Sequence, residues 1–220
     1  MRRALAFVGL GLILGLVACD PTTGRPPPVG TPVPAYSYGI EPVTTKTLGA
    51  SWRPGCPVGP ANLRVVRVWY WGYDGTRRTG PLIVHHSVAH DVGQAFGRLY
   101  DARFQVNRIR PVNDYGGSDA RSMDANNTSA FNCRRVTNGT SWSEHSYGTA
   151  IDINPMQNPY VTSSGTILPP RAGAWVSRPH VPGVIHGGDR VVQAFSEIGW
   201  RWGGYWTNPK DYQHFSRSGR

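Results

Sequence analysis

Between Ser141 and Pro155 the chain reads SWSEHSYGTAIDINP, and its one aspartate stands between two isoleucines. On a β-strand, Ile151 and Ile153 point to one face and Asp152 to the other. If the isoleucines face a core, the carboxylate needs a partner of its own: an arginine, several N–H groups or a metal ion. His145 lies just upstream, and Ser146-Tyr147-Gly148 between them has the small residue a tight turn wants. The stretch therefore predicts a turn followed by a strand over 150–153, with a histidine and a carboxylate brought together. A further nitrogen donor stands near the C-terminus in Asp211-Tyr212-Gln213-His214-Phe215, where His214 has an acid three residues ahead of it. Two histidines and one carboxylate, with the fourth position left to water, make the ligand pattern of a catalytic zinc site. A second carboxylate that does not bind the metal is what a metal hydrolase needs as its general base.

The rest of the folded region supplies a scaffold. Leu63–Trp71 (LRVVRVWYW) is rich in β-branched and aromatic residues and predicts a strand. The Tyr73-Asp74-Gly75 turn follows, and Pro81–His85 predicts its hairpin partner. Val88, Val92, Ala95, Phe96 and Leu99 recur at helical spacing, so 88–102 predicts an amphipathic helix with Ser87 as N-cap. Further strands are expected over Phe104–Val112 and Ser129–Val136, with a long polar loop over 113–128. A helix is expected over 189–198, and the GWRWGG and DYQHF segments read as strands around a turn. Helices and strands mix without a regular βαβ alternation, which predicts an α+β fold: a small antiparallel sheet with flanking helices and long loops. The 27 glycines and 19 prolines agree with a loop-rich chain.

The N-terminus predicts export. Met1-Arg2-Arg3 precedes an apolar run of fifteen residues, Ala4 to Ala18. That is short for a membrane span but suits a signal-peptide core. The run ends in Leu16-Val17-Ala18-Cys19, which resembles a bacterial lipobox, so residues 1–19 are expected to be a lipoprotein signal ending at a lipidated Cys19. Six prolines between Pro21 and Pro34, and sparser ones to Pro60, predict an extended tether over 20–60. The folded domain is then expected over 61–220. Cys56 and Cys133 remain, either as a disulfide or as two buried thiols. The net charge of +10 comes almost wholly from arginine, since only Lys46 and Lys210 are lysines. That balance suits an anionic membrane face or cell wall. No dense Arg/Lys block of a nucleic-acid arm is present, so no nucleic-acid partner is expected.

Ser143-x-His145-x-x-Gly148-x-Ala150-x-Asp152 resembles, position for position, the SxHxxGxAxD signature of the LAS zinc peptidases. That superfamily is named for lysostaphin, D-Ala-D-Ala peptidases and the sonic hedgehog domain. Asp211-x-x-His214 resembles the second signature of its D-Ala-D-Ala branch. NNTSAFNCR (126–134), GWRWGG (199–204) and DYQHF extend the likeness to roughly residues 80–216. The resemblance implies the LAS fold and a zinc ion held by His145, Asp152 and His214. It also implies Asp211 as general base, and an arginine that holds or polarises substrate. Arg134 is the candidate for that arginine, with Arg135 second. The implied activity is hydrolysis of peptidoglycan stem peptides, as a D-alanyl-D-alanine carboxypeptidase or an L-Ala-D-Glu-type endopeptidase at the outer face of a membrane. The alternative is a lipoprotein that keeps the zinc fold and binds wall peptides without turnover. Ser143 reads as a support of the turn. The five other histidines (85, 86, 90, 180 and 186) show no ligand-like spacing. Trp200, Trp202 and Trp206 could wall a cleft or pack a core.

Overall fold

A computed structural model describes residues 33–137 and 139–220 of the chain. The expected signal sequence, Cys19 and the first part of the tether lie outside the described residues. One compact unit runs from Tyr36 to Arg220. Among the described residues, no helix is long and apolar enough to cross a membrane.

The first layer is a three-stranded antiparallel sheet of β1 (Tyr38–Pro42), β2 (Leu63–Trp71) and β3 (Arg77–His85), with β2 in the centre. Both faces of β2 are covered, which explains its near-continuous run of β-branched and aromatic residues. Val66, Val68 and Tyr70 face the main core, while Leu63 and Val65 join a second cluster. A short helix α1 (Thr45–Leu48) lies between β1 and β2 and contributes Leu48 to that second cluster. Helix α2 (Ala89–Asp101) lays Val92, Ala95, Phe96 and Leu99 on the main core. Each side chain as large as Leu or Phe buried there stabilises the fold by about 1.5–3 kcal/mol.

The second cluster holds Phe131 and the bonded pair Cys56–Cys133, whose Cα atoms are 5.9 Å apart. This bridge ties residues ahead of β2 to the segment just before the His145 turn. The fold thus begins earlier than the proline count suggests. The tether expected to reach residue 60 gives way at Tyr36, because β1 pairs residue by residue with Arg64–Val68. Tyr36 and Tyr38 pack against the main core, and the Tyr36 hydroxyl donates to the carbonyl of Gly93 at 2.7 Å. A chain started at Ala61 loses β1, Leu48 and half of the disulfide together. The bridge alone is worth about 2–5 kcal/mol, so such a chain is expected to unfold at markedly lower temperature than one started at Ala35. Calorimetry of the two shows this, and equal midpoints would refute it.

The chain then runs through the 3₁₀ turn Val112–Tyr115 and helix α3 (Asp119–Asp124), whose N-cap is Ser118. Two small sheets complete the fold. β4 (Ala150–Asp152) and β7 (Arg201–Trp202) flank β9 (His214–Ser216). β6 (Ile167–Leu168) and β8 (Lys210–Asp211) flank β5 (Tyr160–Val161). Helix α4 (Arg190–Ser196) is capped by Asp189, whose side chain accepts from the amides of Val191 and Val192. The mixed composition with small antiparallel sheets is α+β, divided among three sheets instead of the one expected.

Several local expectations are corrected. Phe104–Val112 forms no strand, only single bridges at Gln105 and Ile109. Two of its backbone donors go to asparagine side chains, Asn107 N–H to Asn154 Oδ1 and Arg110 N–H to Asn127 Oδ1, and the Val106 N–H goes to the Trp71 carbonyl. Ser129–Val136 is no strand either, because its amides bond to Asp152, Ile83, His145 and Ser51, four separate parts of the chain. Ser87 is not the cap of α2. It sits in a 3₁₀ turn, His86–Val88, where the His85 ring accepts from its amide. The loop expected over 113–128 contains α3.

Candidate metal centre

Residues Glu144–Tyr147 form a 3₁₀ turn, capped by the Ser143 hydroxyl, which accepts from the His145 amide at 3.4 Å. Gly148 ends the turn at φ +69°, and a Cβ there would lie 2.6 Å from the His85 amide nitrogen. That amide donates to the Gly148 carbonyl at 2.9 Å, docking the turn on the end of β3. The chain then enters β4. Ile151 and Ile153 are fully buried in the main core, and Asp152 faces the other way. In the antiparallel pairing of β4 with β9, Asp152 lies directly opposite His214 and Ile151 opposite Phe215. Opposed residues share a face, so the pairing that buries Ile151 against Phe215 also brings the carboxylate to the second histidine.

Three side chains converge. His145 Nε2 is 3.1 Å from Asp152 Oδ2, His214 Nδ1 is 3.0 Å from Asp152 Oδ1, and the two ring nitrogens are 3.3 Å apart. One ligand atom from each lies within 4.8 Å of the others. All three residues are buried. The outward ring nitrogens have main-chain acceptors: His145 Nδ1 meets the Ala130 carbonyl at 2.6 Å, and His214 Nε2 meets the Arg220 main-chain oxygen at 2.9 Å. Protons assigned to those nitrogens leave the inward lone pairs free to ligate, the arrangement that metal-binding histidines use.

The electrostatics also ask for a cation. Burial disfavours charge on Asp152, but the two histidines outweigh it and hold the carboxyl far below the usual carboxylate range. Burial likewise works against charge on His214, yet the hydrogen bond and charge of Asp152, aided by Asp211, push it up to about 9. A buried, oxygen- and nitrogen-lined pocket that draws positive charge onto its own histidine fits zinc in a three-ligand site with one position open.

Asp211 belongs to β8, opposite Tyr160 in β5. Its Oδ1 is buried without a hydrogen-bond partner. Burial, reinforced by Asp152, raises its carboxyl to about 7, against the pull of His214, His145 and Arg134. Asp211, the three histidine–aspartate donors, Arg134 and Tyr160 all line one cavity of about 340 Å³. The Arg134 guanidinium bonds to Asp119 at 3.0 Å, so the arginine expected to face substrate is also held by an aspartate at the start of α3. Arg135 instead lies 3.8 Å over the Trp142 ring and donates to the Thr140 carbonyl. Trp206 walls the cavity against the His214 ring, whereas Trp200 and Trp202 are core residues. Among the described residues, the other five histidines belong to no such ligand cluster.

Residues 137–217 match the model of a family described as D-alanyl-D-alanine carboxypeptidase. No curated protein and no solved structure matches the chain. The peptidase match contains His145, Asp152, Asp211 and His214. Arg134 and Asp119 reach the same cavity from outside it. Neither Asp119 nor Tyr160 carries a signal in the sequence. The β5–β8 register alone puts Tyr160 beside Asp211, and the cap at Ser118 fixes Asp119 at the start of α3.

Proposed function

We propose that this chain is a zinc-dependent peptidase that hydrolyses peptidoglycan stem peptides, removing a C-terminal D-alanine, from a membrane tether anchored at Cys19. The carrying observation is a second carboxylate, Asp211, whose Oδ1 is buried without a hydrogen-bond partner in the same cavity as the His145–Asp152–His214 cluster. A pure binding site has no use for it. Zinc held by His145, Asp152 and His214 would supply a Lewis acid that polarises the scissile carbonyl and acidifies a nearby water. Asp211 takes the proton of the attacking water as the new C–O bond forms. It hands that proton to the amine nitrogen as the C–N bond breaks. Arg134, braced by Asp119, is placed to hold a carboxylate of the peptide, which favours a carboxypeptidase over an endopeptidase. The lipid anchor and the basic surface fit an anionic wall, and the Cys56–Cys133 bridge fits an oxidising compartment outside the cytoplasm.

The test incubates the purified protein with defined stem pentapeptides and with whole peptidoglycan, and reads products by mass spectrometry. Loss of one alanine, abolished by a chelator and restored by zinc, is the expected result. Cleavage between L-Ala and D-Glu would keep the peptidase and overturn the carboxypeptidase. Zinc binding without cleavage would leave a wall-peptide binder.

A further inference from the structure

His214 is asked to offer Nδ1 to a cation, and this requires its proton on Nε2. The acceptor for that proton comes from the last residues of the sequence, beyond β9. The chain leaves β9 through Arg217, whose amide donates to the Thr149 carbonyl at 3.0 Å. It turns back at Gly219, which sits at φ +82°. Three further bonds hold the turn. The Trp206 indole N–H donates to the Gly219 carbonyl at 2.9 Å, and the Arg220 amide donates to the Ser218 hydroxyl at 3.2 Å. The Ser216 hydroxyl donates to the Arg220 main-chain oxygen at 2.7 Å. That same oxygen lies 2.9 Å from His214 Nε2. Trp206 thus packs its ring 5.6 Å from the His214 imidazole and bonds its N–H to the turn whose end meets His214 Nε2.

The geometry points to the Ser216–Arg220 hook, clamped by Trp206, as the element that positions His214 for metal binding. It rests on the proposed zinc site and adds a part of the chain to it. Outer partners of ligating histidines fix the ring orientation and tautomer, and their loss typically weakens metal affinity 10–100-fold. The hook acts on the proposed site through the His214 ring. Its members are positioning residues, and the property they control is affinity.

The experiment compares the full chain with a deletion of residues 218–220 and with Trp206→Phe, which keeps a ring against His214 but removes the N–H clamp. Zinc affinity is measured by competition with a chromophoric chelator. The visible spectrum of the cobalt-substituted protein reports ligand geometry, and the melting temperature of the metal-free form reports folding. The inference expects zinc bound 10–100-fold more weakly by the deletion, an altered cobalt spectrum, and a metal-free melting temperature within a few degrees of the parent. Unchanged affinity and spectrum in the deletion would overturn it. If the deletion does not fold, Trp206→Phe decides in the same way, weaker binding supporting the hook and equal binding refuting it. Absence of zinc from the unaltered chain would instead bring down the metal site, and the hook with it.

Discussion

Replacing Asp211 with asparagine is expected to leave one zinc per chain and to lower turnover by roughly 10²–10⁴-fold, the usual contribution of a positioned proton acceptor. The asparagine has nearly the same shape but cannot take a proton from water. In the resting protein Asp211 is a liability: Oδ1 is buried without a partner, and Asp152 stands close enough to raise its proton affinity. The substitution relieves that conflict, so the melting temperature should hold or rise while activity falls, the trade expected where a site is built for chemistry at the expense of stability. Zinc analysis, turnover on a stem pentapeptide and calorimetry on the same preparation check all three. A variant that keeps more than about a tenth of the parent's turnover would remove Asp211 from the role of base.

The second large effect is expected at Asp152. Its two oxygens face two different histidines, one each. Asp152→Asn keeps one acceptor, puts an N–H₂ against the other imidazole and removes the only negative charge among the three ligands. Zinc at a thousand times its dissociation constant should stabilise the parent by about 4 kcal/mol. For a domain of this size that raises the melting temperature by roughly 8–16 °C. In Asp152→Asn the zinc-dependent rise is expected to shrink to a couple of degrees or less. Scanning calorimetry with and without zinc, after chelator treatment, measures it. An equal rise in both proteins would mean that zinc binds somewhere else.

The His145–Asp152–His214 cluster was legible because its residues are concentrated in short stretches. An aspartate between two isoleucines has few uses, and the alternation that buries Ile151 and Ile153 is local. β2 and α2 were legible for the same reason, each having a strong period of its own. What escaped depends on distant partners. Phe104–Val112 has the composition of a strand, but its backbone partners are scattered: single bridges to Trp71 and Thr128, and asparagine side chains for the amides of Asn107 and Arg110. The start of the fold was misplaced because β1 is short and half exposed, stabilised by pairing with β2 more than by its own sequence. Asp119, Tyr160 and the hook at Gly219–Arg220 reach the cavity only through tertiary packing. No pattern within their own segments distinguishes them from surface polar residues.

Asp152 and His214 are neighbours across one strand pair, yet they stand 62 positions apart in the chain. Between them the chain makes an excursion through β5, β6 and α4 and returns by β7 and β8, which bring Trp206 and Asp211 to the same cavity. Lengthening the exposed turns of that excursion leaves the Asp152–His214 spacing untouched, because the spacing is set by the strand pair and not by the path that joins it. A one-residue slip inside the pair would do the reverse, turning the acid into the core and an isoleucine toward the histidines. The molecule thus separates what can vary from what cannot: the exposed turns of the excursion can change in length, while the pairing that brings Asp152 to His214 has to keep its register.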